Sequence, residues 1–225
     1  MKKTLAVLFI LMPLIGFSQF DVITATKPGE EPVSSSHSIS IVPHYALFNS
    51  MRFDYEYVKG NKAYNIALIG YYQDRETHPT QIGEGVLYHM QGGGIGYNQK
   101  LMRTKGKGYY AYFAGGIIYS YIESDFLGYG WRTIEYNDTP VQIYDASMVK
   151  GYTNRVEANV TLGVQVDITK KLFGELYVGM GYRYSINNFV PLTPGIQIEN
   201  PFDLPTQIGY TGIIFVSGIK LGFHF

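Results

Sequence analysis

The sequence predicts an all-β chain, an eight-stranded antiparallel up-and-down transmembrane β-barrel. Three observations carry this: a two-residue hydrophobic period, an alternation of short and long connections, and tyrosines at the ends of the periodic segments. The period is cleanest over 155–168. Every even position from Val156 to Ile168 is apolar, while the odd positions include Arg155, Glu157, Asn159, Gln165 and Asp167. An average strand has about five or six residues, whereas crossing a bilayer at a tilt takes about 9 to 11. This segment is long enough to cross.

Taken in order, the chain opens with Met1, Lys2 and Lys3, an apolar stretch from Thr4 to Ile15, and small residues Gly16 and Ser18 before Gln19. Residues 1–18 therefore read as a secretory signal peptide, too short to span a membrane as a helix. Residues 19–36, with Lys27, Pro28, Gly29, Glu30, Glu31 and Pro32, read as a flexible periplasmic leader. The barrel then occupies 37–225. Its predicted strands are 38–47, 51–58, 63–72, 88–101, 109–121, 155–168, 172–184 and 213–225, with Pro43 marking a bulge in the first because it removes a ladder hydrogen bond. External connections fall at 48–50, 73–85, 122–154 and 185–209, and periplasmic ones at 59–62, 102–108 and 169–171. Apart from the first, the external connections are the longer set, as outer-membrane barrels require.

Turn centres set the register. A centre at Lys170 places Glu157 opposite Arg183, a centre between Gly60 and Asn61 pairs Tyr57 with Tyr64, and a centre at Lys105 pairs Leu101 with Tyr109. A first-loop centre at Asn49 sets His44 opposite Asp54. Tyrosine and phenylalanine gather at both strand ends: Tyr57, Tyr64, Tyr97, Tyr109, Phe223 and Phe225 at one, Tyr72, Tyr119, Tyr121, Tyr182 and Tyr184 at the other. Amphipathic rings favour the half-wet interface, so these form two girdles.

Composition closes several classes of function. Eighteen basic and eighteen acidic residues leave no basic stripe for nucleic acid, and the absence of cysteine removes disulfides, thiol nucleophiles and cysteine metal sites. The five histidines, His37, His44, His78, His89 and His224, show no ligand spacing, and no cofactor motif stands out. Gly92, Gly93, Gly94 and Gly96 lie inside a strand, not between a strand and a helix, so they are no phosphate loop.

The signal peptide, eight alternating segments, long external loops and a final run Gly218-Ile219-Lys220-Leu221-Gly222-Phe223-His224-Phe225 resemble the small eight-stranded outer-membrane β-barrel proteins of OmpA, OmpX and OmpW type, without a peptidoglycan-binding domain. The resemblance covers about 37–225. It implies residence in the outer membrane of a Gram-negative bacterium, contact with outer-membrane lipid, and recognition of Phe223 and Phe225 by the barrel-assembly machinery as the insertion signal.

Inside such a barrel there is room only for side chains. The inward charges are Arg52, Lys100, Arg155, Arg183 and Lys220 against Asp54, Glu56, Glu157, Asp167 and Glu175. Equal numbers predict mutual pairing and a plugged lumen, with Lys220 meeting Glu175. Inward glycines free space that Tyr110, Tyr112, Phe173 and Tyr177 either fill or leave as a cavity. Specific function then falls to the external loops. Trp131 and Tyr129 lie in an aromatic, acidic loop, and Phe189 and Phe202 in a proline-stiffened apolar one that folds over the mouth, packs on the first, or docks another outer-membrane protein. The expected role is structural or interactive and not enzymatic. Its rivals are a narrow channel for small or apolar solutes and a lipid-modifying enzyme at the outer rim, where His89 and the loop residue His78 are the histidines to consider.

Overall fold

The computed structural model describes residues 36–225 apart from 75–79, 83–84, 107–108, 203 and 205–206. The signal peptide, nearly all of the leader and His78 lie outside the described residues. Ten strands follow: β1 (Ser36–Ile41), β2 (Ser50–Lys59), β3 (Lys62–Asp74), β4 (Thr80–Ile82), β5 (Gly85–Gly106), β6 (Tyr109–Tyr136), β7 (Thr139–Asp167), β8 (Leu172–Pro191), β9 (Gln197–Ile198) and β10 (Gly212–His224). Eight of them form a closed antiparallel barrel in the order β1-β2-β3-β5-β6-β7-β8-β10, sealed by β10 pairing back onto β1. The three-residue β4 pairs at the external end of β5 and the two-residue β9 at that of β6.

The period of two sorts the faces as expected. Along β7, Val160 and Leu162 are 40% and 60% exposed, while the intervening Asn159, Thr161 and Gln165 are buried. Leu176, Val178, Met180, Ile213 and Phe215 continue the same exposed apolar band on β8 and β10. A soluble protein does not present an apolar surface of this extent to water. Of the girdle residues, Tyr72, Phe223 and Phe225 are exposed at strand ends, whereas Tyr119, Tyr121, Tyr182 and Tyr184 are exposed within β6 and β8, which run on past them.

Two predicted registers hold. Tyr57 faces Tyr64, their rings stacked at 6.5 Å across the turn where Gly60 takes a positive φ of 62°, and Glu157 faces Arg183. The third hairpin corrects the expected one: Leu101 pairs with Phe113 and Gly106 with Tyr109, with a register shift between Met102 and Thr104, so the connection is shorter than a centre at Lys105 allows. Apolar still faces apolar, which is why the pattern alone left the offset open.

The first strand also differs. β1 stops at Ile41, and Pro43–Phe48 form a 3-10 helix, η1, with Pro43 in its first turn and Asn49 closing it in the left-handed conformation (φ 52°). Pro43 is therefore a helix starter, where its missing N–H costs nothing, and not a strand bulge. Asp54 stands opposite Ser40, not His44. Because β1 is short, β10 pairs with it only from Leu221 to His224. Higher up η1 takes over the wall: Val42, just before it, donates its N–H to the Arg52 carbonyl at 3.1 Å, and the His44 ring lies over Gly218 of β10, where a methyl group would sit 2.1 Å from it.

The stretch 122–154 is not a loop. β6 and β7 run on as a ladder to a tight turn at Asn137 and Asp138, both at positive φ (49° and 60°), the geometry of a two-residue hairpin turn. Likewise β8 continues to Pro191, so only 192–211 of the fourth connection leaves the ladder.

Inward glycines are slots for inward rings. Tyr112 stands across from Gly163, Tyr177 from Gly218 and Phe173 from Gly222, each directly opposite on the neighbouring strand. A methyl group at Gly163 would lie 2.3 Å from the Tyr112 ring. Such a contact must displace the ring, and overpacking costs about 1–3 kcal/mol. Gly163→Val should therefore lower the urea midpoint of the refolded barrel by a corresponding amount, whereas Gly70→Val, on the open outer face with nothing within 4 Å, should leave it nearly unchanged. Equal shifts for the two variants would refute the slot.

Candidate functional site

Three inward positions of β2, two residues apart, supply Arg52, Asp54 and Glu56. β5 supplies Lys100, β8 supplies Glu175 and β10 supplies Lys220. All six are buried, and they form one network. Arg52 grips Asp54 with both arms (Nε–Oδ1 2.7 Å, Nη2–Oδ2 3.1 Å), and Lys220 reaches Asp54 Oδ2 at 2.6 Å and Glu175 Oε1 at 3.4 Å. Lys100 Nζ is 2.6 Å from Glu56 Oε2 and also bonds Glu175, whose other oxygen accepts from Tyr112 Oη at 2.7 Å. Three cations and three anions cancel. A buried charge without a partner costs several kcal/mol, so the layer is stable as a complete set. Beside it a small cavity lined by Arg52, Asn98, Lys100, Tyr112, Asn159 and Lys220, among others, offers about 30 Å³ of water-accessible volume, room for roughly two waters.

Nearer the external mouth sits a second charged layer. Arg183 Nε donates to Glu157 Oε1 at 2.9 Å, and Arg155 Nε lies at the same distance from that oxygen as an ion contact. The arginines also hold the chain above them: Arg183 donates to the Gln207 carbonyl at 2.9 Å, and Arg155 donates to the Ile208 carbonyl at 3.4 Å and to Tyr71 Oη at 2.5 Å. At the periplasmic end, Asp167 faces His224 Nε2 at 3.5 Å. Nine of the ten inward charges named from the sequence pair with one another, while Asp167 faces His224 instead.

The described residues of 192–211 fold over the mouth. Phe202 is only 3% exposed, packed against Phe126 and Phe189 at ring separations of 6.0 and 5.8 Å. Beneath it Ile69, Met90, Ile118 and Ile122 complete an apolar cluster. Asn187 and Ser185 fasten the segment by hydrogen bonds to the carbonyl of Gly209 and the carbonyl of Tyr210. Of the four loop residues singled out for interaction, then, Phe189 and Phe202 belong to a plug inside the mouth. The sequence carried a signal for it: inward positions of β6 change from Tyr112 and Gly116 to Ile118, Ile122 and Phe126, an apolar interior above a polar one.

Trp131 and Tyr129 stand on β6 instead, on the outer face of the projecting hairpin. Tyr144 of β7 joins them, its ring 5.0 Å from Trp131 and stacked at 6.1 Å on Tyr129. On the opposite face Arg132 grips Asp145 (Nη2–Oδ2 2.6 Å), and the Ala146 N–H donates to Asp145 Oδ1 at 2.8 Å. First that N–H and then the guanidinium hold the Asp145 carboxyl below the usual carboxylate range. His89 stands in register between Asp74 and Asp125 at the outer rim, its ring edge-on to Tyr72 at 6.4 Å.

Among solved structures the chain is similar to CarO of Acinetobacter baumannii, with 12% identity, 87% of this chain and 97% of that chain covered, and a TM-score of 0.39. It is also similar to CarO2 of the same organism (10%, 87% and 99%, TM-score 0.41) and to a major outer membrane protein from Thermus thermophilus (8%, 85% and 100%, TM-score 0.41). No protein-family model and no curated protein matches the chain. The barrel is established by its own closed ladder and sorted faces.

Two outcomes follow from this geometry. Glu157→Ala leaves the buried Arg155 and the half-buried Arg183 without their carboxylate, which should cost about 3 kcal/mol and be read as a lower unfolding midpoint in micelles, while Val160→Ala on the lipid face should cost far less. A depressed carboxyl contributes its stabilisation above its unfolded-state pKa and loses it as pH falls through the folded value. The Arg132–Asp145 bridge should therefore persist through the normal carboxylate titration range and open only below it, which carboxyl carbon chemical shifts of Asp145 against pH will report.

Proposed function

We propose that the protein is a non-conducting, non-catalytic barrel of a Gram-negative outer membrane, exported on its 1–18 signal peptide, whose role is structural or interactive and rests on its external hairpin. The observation that supports this best is the double seal of the lumen. A neutral six-charge layer with Tyr112 lies below, and an apolar plug centred on Phe202 closes the mouth above. Ions entering from outside meet an apolar layer, which they cross only at high cost. Below it they meet charges already satisfied by one another.

Membrane residence is supported by the exposed apolar band between tyrosine girdles and by strand lengths of 13 residues and more in β3, β5, β6, β7, β8 and β10. Phe223 and Phe225 face outward at the periplasmic end of the closing strand, with the Phe225 ring stacked on His37 at 6.0 Å. That placement suits the role of insertion signal read by the assembly machinery.

The test is electrical. The mature protein reconstituted in planar bilayers should give no discrete current steps under applied voltage. A reproducible unitary conductance would overturn the sealed-lumen reading in favour of a narrow channel.

A further inference from the structure

The β6–β7 hairpin carries one face of the barrel wall well beyond the membrane. Odd residues of β6 and even residues of β7 point outward, so this face continues the lipid-facing surface without a break. Its order from the bilayer upward is informative. Tyr119 and Tyr121 belong to the girdle. Next comes a polar band of Glu123, Asp125, Lys150 and Asn154, where Glu123 accepts from Tyr121 Oη at 3.0 Å and from Gln91 Nε2 at 3.1 Å, and Asn154 accepts from Tyr119 Oη at 2.9 Å. Above the band the rings return as Tyr129, Trp131 and Tyr144.

The upper rings have one open side. Trp131 is 48% and Tyr144 43% exposed, whereas the other edge of β6 is occupied at this level by β9: a methyl group at Gly130 would lie 2.0 Å from the Gln197 carbonyl. The open side is the one continuous with the membrane band. Hydrocarbon ends at the girdle, because Glu123 and Asp125 would be costly within it. From Tyr121 to Trp131 the strand rises roughly 33 Å along its length, which at the usual tilt of about 35–45° is on the order of 25 Å above the interface. Acyl chains do not reach that level, but the sugars of a membrane glycolipid do.

We propose that Tyr129, Trp131 and Tyr144 form a stacking platform for the saccharide of the outer-leaflet glycolipid surrounding the barrel. Pyranose rings present apolar C–H faces, and exposed aromatics bind such faces while their polar tips stay in water; here the Tyr129 and Tyr144 planes lie within 15° of each other and Trp131 is tilted by 55° to Tyr144. The vertical order of girdle, polar band and aromatic patch follows the order of acyl interface, polar headgroup and sugar in such a lipid, with Lys150 as the cation of the band. This rests on the outer-membrane reading and is independent of whether the lumen conducts.

Trp131 is the sole tryptophan of the chain, so its fluorescence reports the platform directly. The mature protein would be inserted into three kinds of vesicle: phospholipid alone, phospholipid with lipid A, and phospholipid with lipopolysaccharide bearing its core oligosaccharide. Acrylamide quenching of Trp131 should fall about threefold with the core-bearing lipid only, and Tyr144→Leu, which removes a ring and keeps an apolar strand residue, should abolish that protection. Equal quenching in all three vesicles, equal protection by lipid A, or protection unchanged in Tyr144→Leu would each overturn the platform. Heat-modifiable gel migration monitors insertion separately, so a chain that fails to insert counts against the membrane reading and not against the platform alone.

Discussion

In hydrocarbon every peptide N–H and C=O must find a partner within the protein, and a sheet satisfies that demand only by closing. Here closure depends on a short seam. β1 offers four register partners to β10, Ser38 to Ile41 against Leu221 to His224, and the Phe225 N–H donates to the His37 carbonyl at 3.0 Å to extend it. Above the seam the wall is completed by η1, whose N-cap Val42 keeps one bond to β2 while the His44 ring packs over Gly218 of β10. The same residues that break the strand thus finish the wall, and they do so because Pro43 ends the ladder while pre-setting the φ of a helical turn.

Closing eight strands leaves an interior as narrow as two facing side chains, and the lumen follows from that limit. Several large inward rings find room over inward glycines, which gives the recurring tyrosine–glycine and phenylalanine–glycine pairs across β6–β7 and β8–β10. Tyr112 shows how the levels connect. Its ring fills the space that Gly163 leaves empty, and its hydroxyl completes the coordination of Glu175, itself 2% exposed and held by two lysines. Packing and electrostatics are therefore one network, with no member that can be removed without exposing another.

At the external end the balance changes from paired charge to apolar contact. Arg155 and Arg183 mark the boundary, since each turns one arm down to the carboxylate or tyrosine below and another up to a carbonyl of the covering segment. The covering segment is thus anchored in the lumen, which leaves the projecting β6–β7 hairpin as the broad free surface. Function moves outward in consequence, from a filled interior to a face that rises beside the membrane.

Much of this is legible in the sequence, because strict two-residue alternation fixes which side of every strand meets oil, and a one-residue slip would expose a whole charged face to it. The eight-stranded architecture and the inward charges follow from that period, the pairing of Glu157 with Arg183 from the symmetric turn at Lys170, and the meeting of Lys220 with Glu175 from their inward positions on neighbouring strands. What the period cannot show is where a ladder stops. The alternation of 38–47 conceals the helix that Pro43 begins, the aromatic run of 122–154 conceals a hairpin whose Asn137–Asp138 turn is set by two backbone angles, and the apolar character around Phe202 fits folding over the mouth, packing on a neighbour or docking a partner equally well. The sequence by itself determined the faces of the barrel, since face is a local property of each residue. Only the tertiary structure decided the length of its strands and the closing of its mouth, since those depend on residues far apart in the chain competing for the same partners.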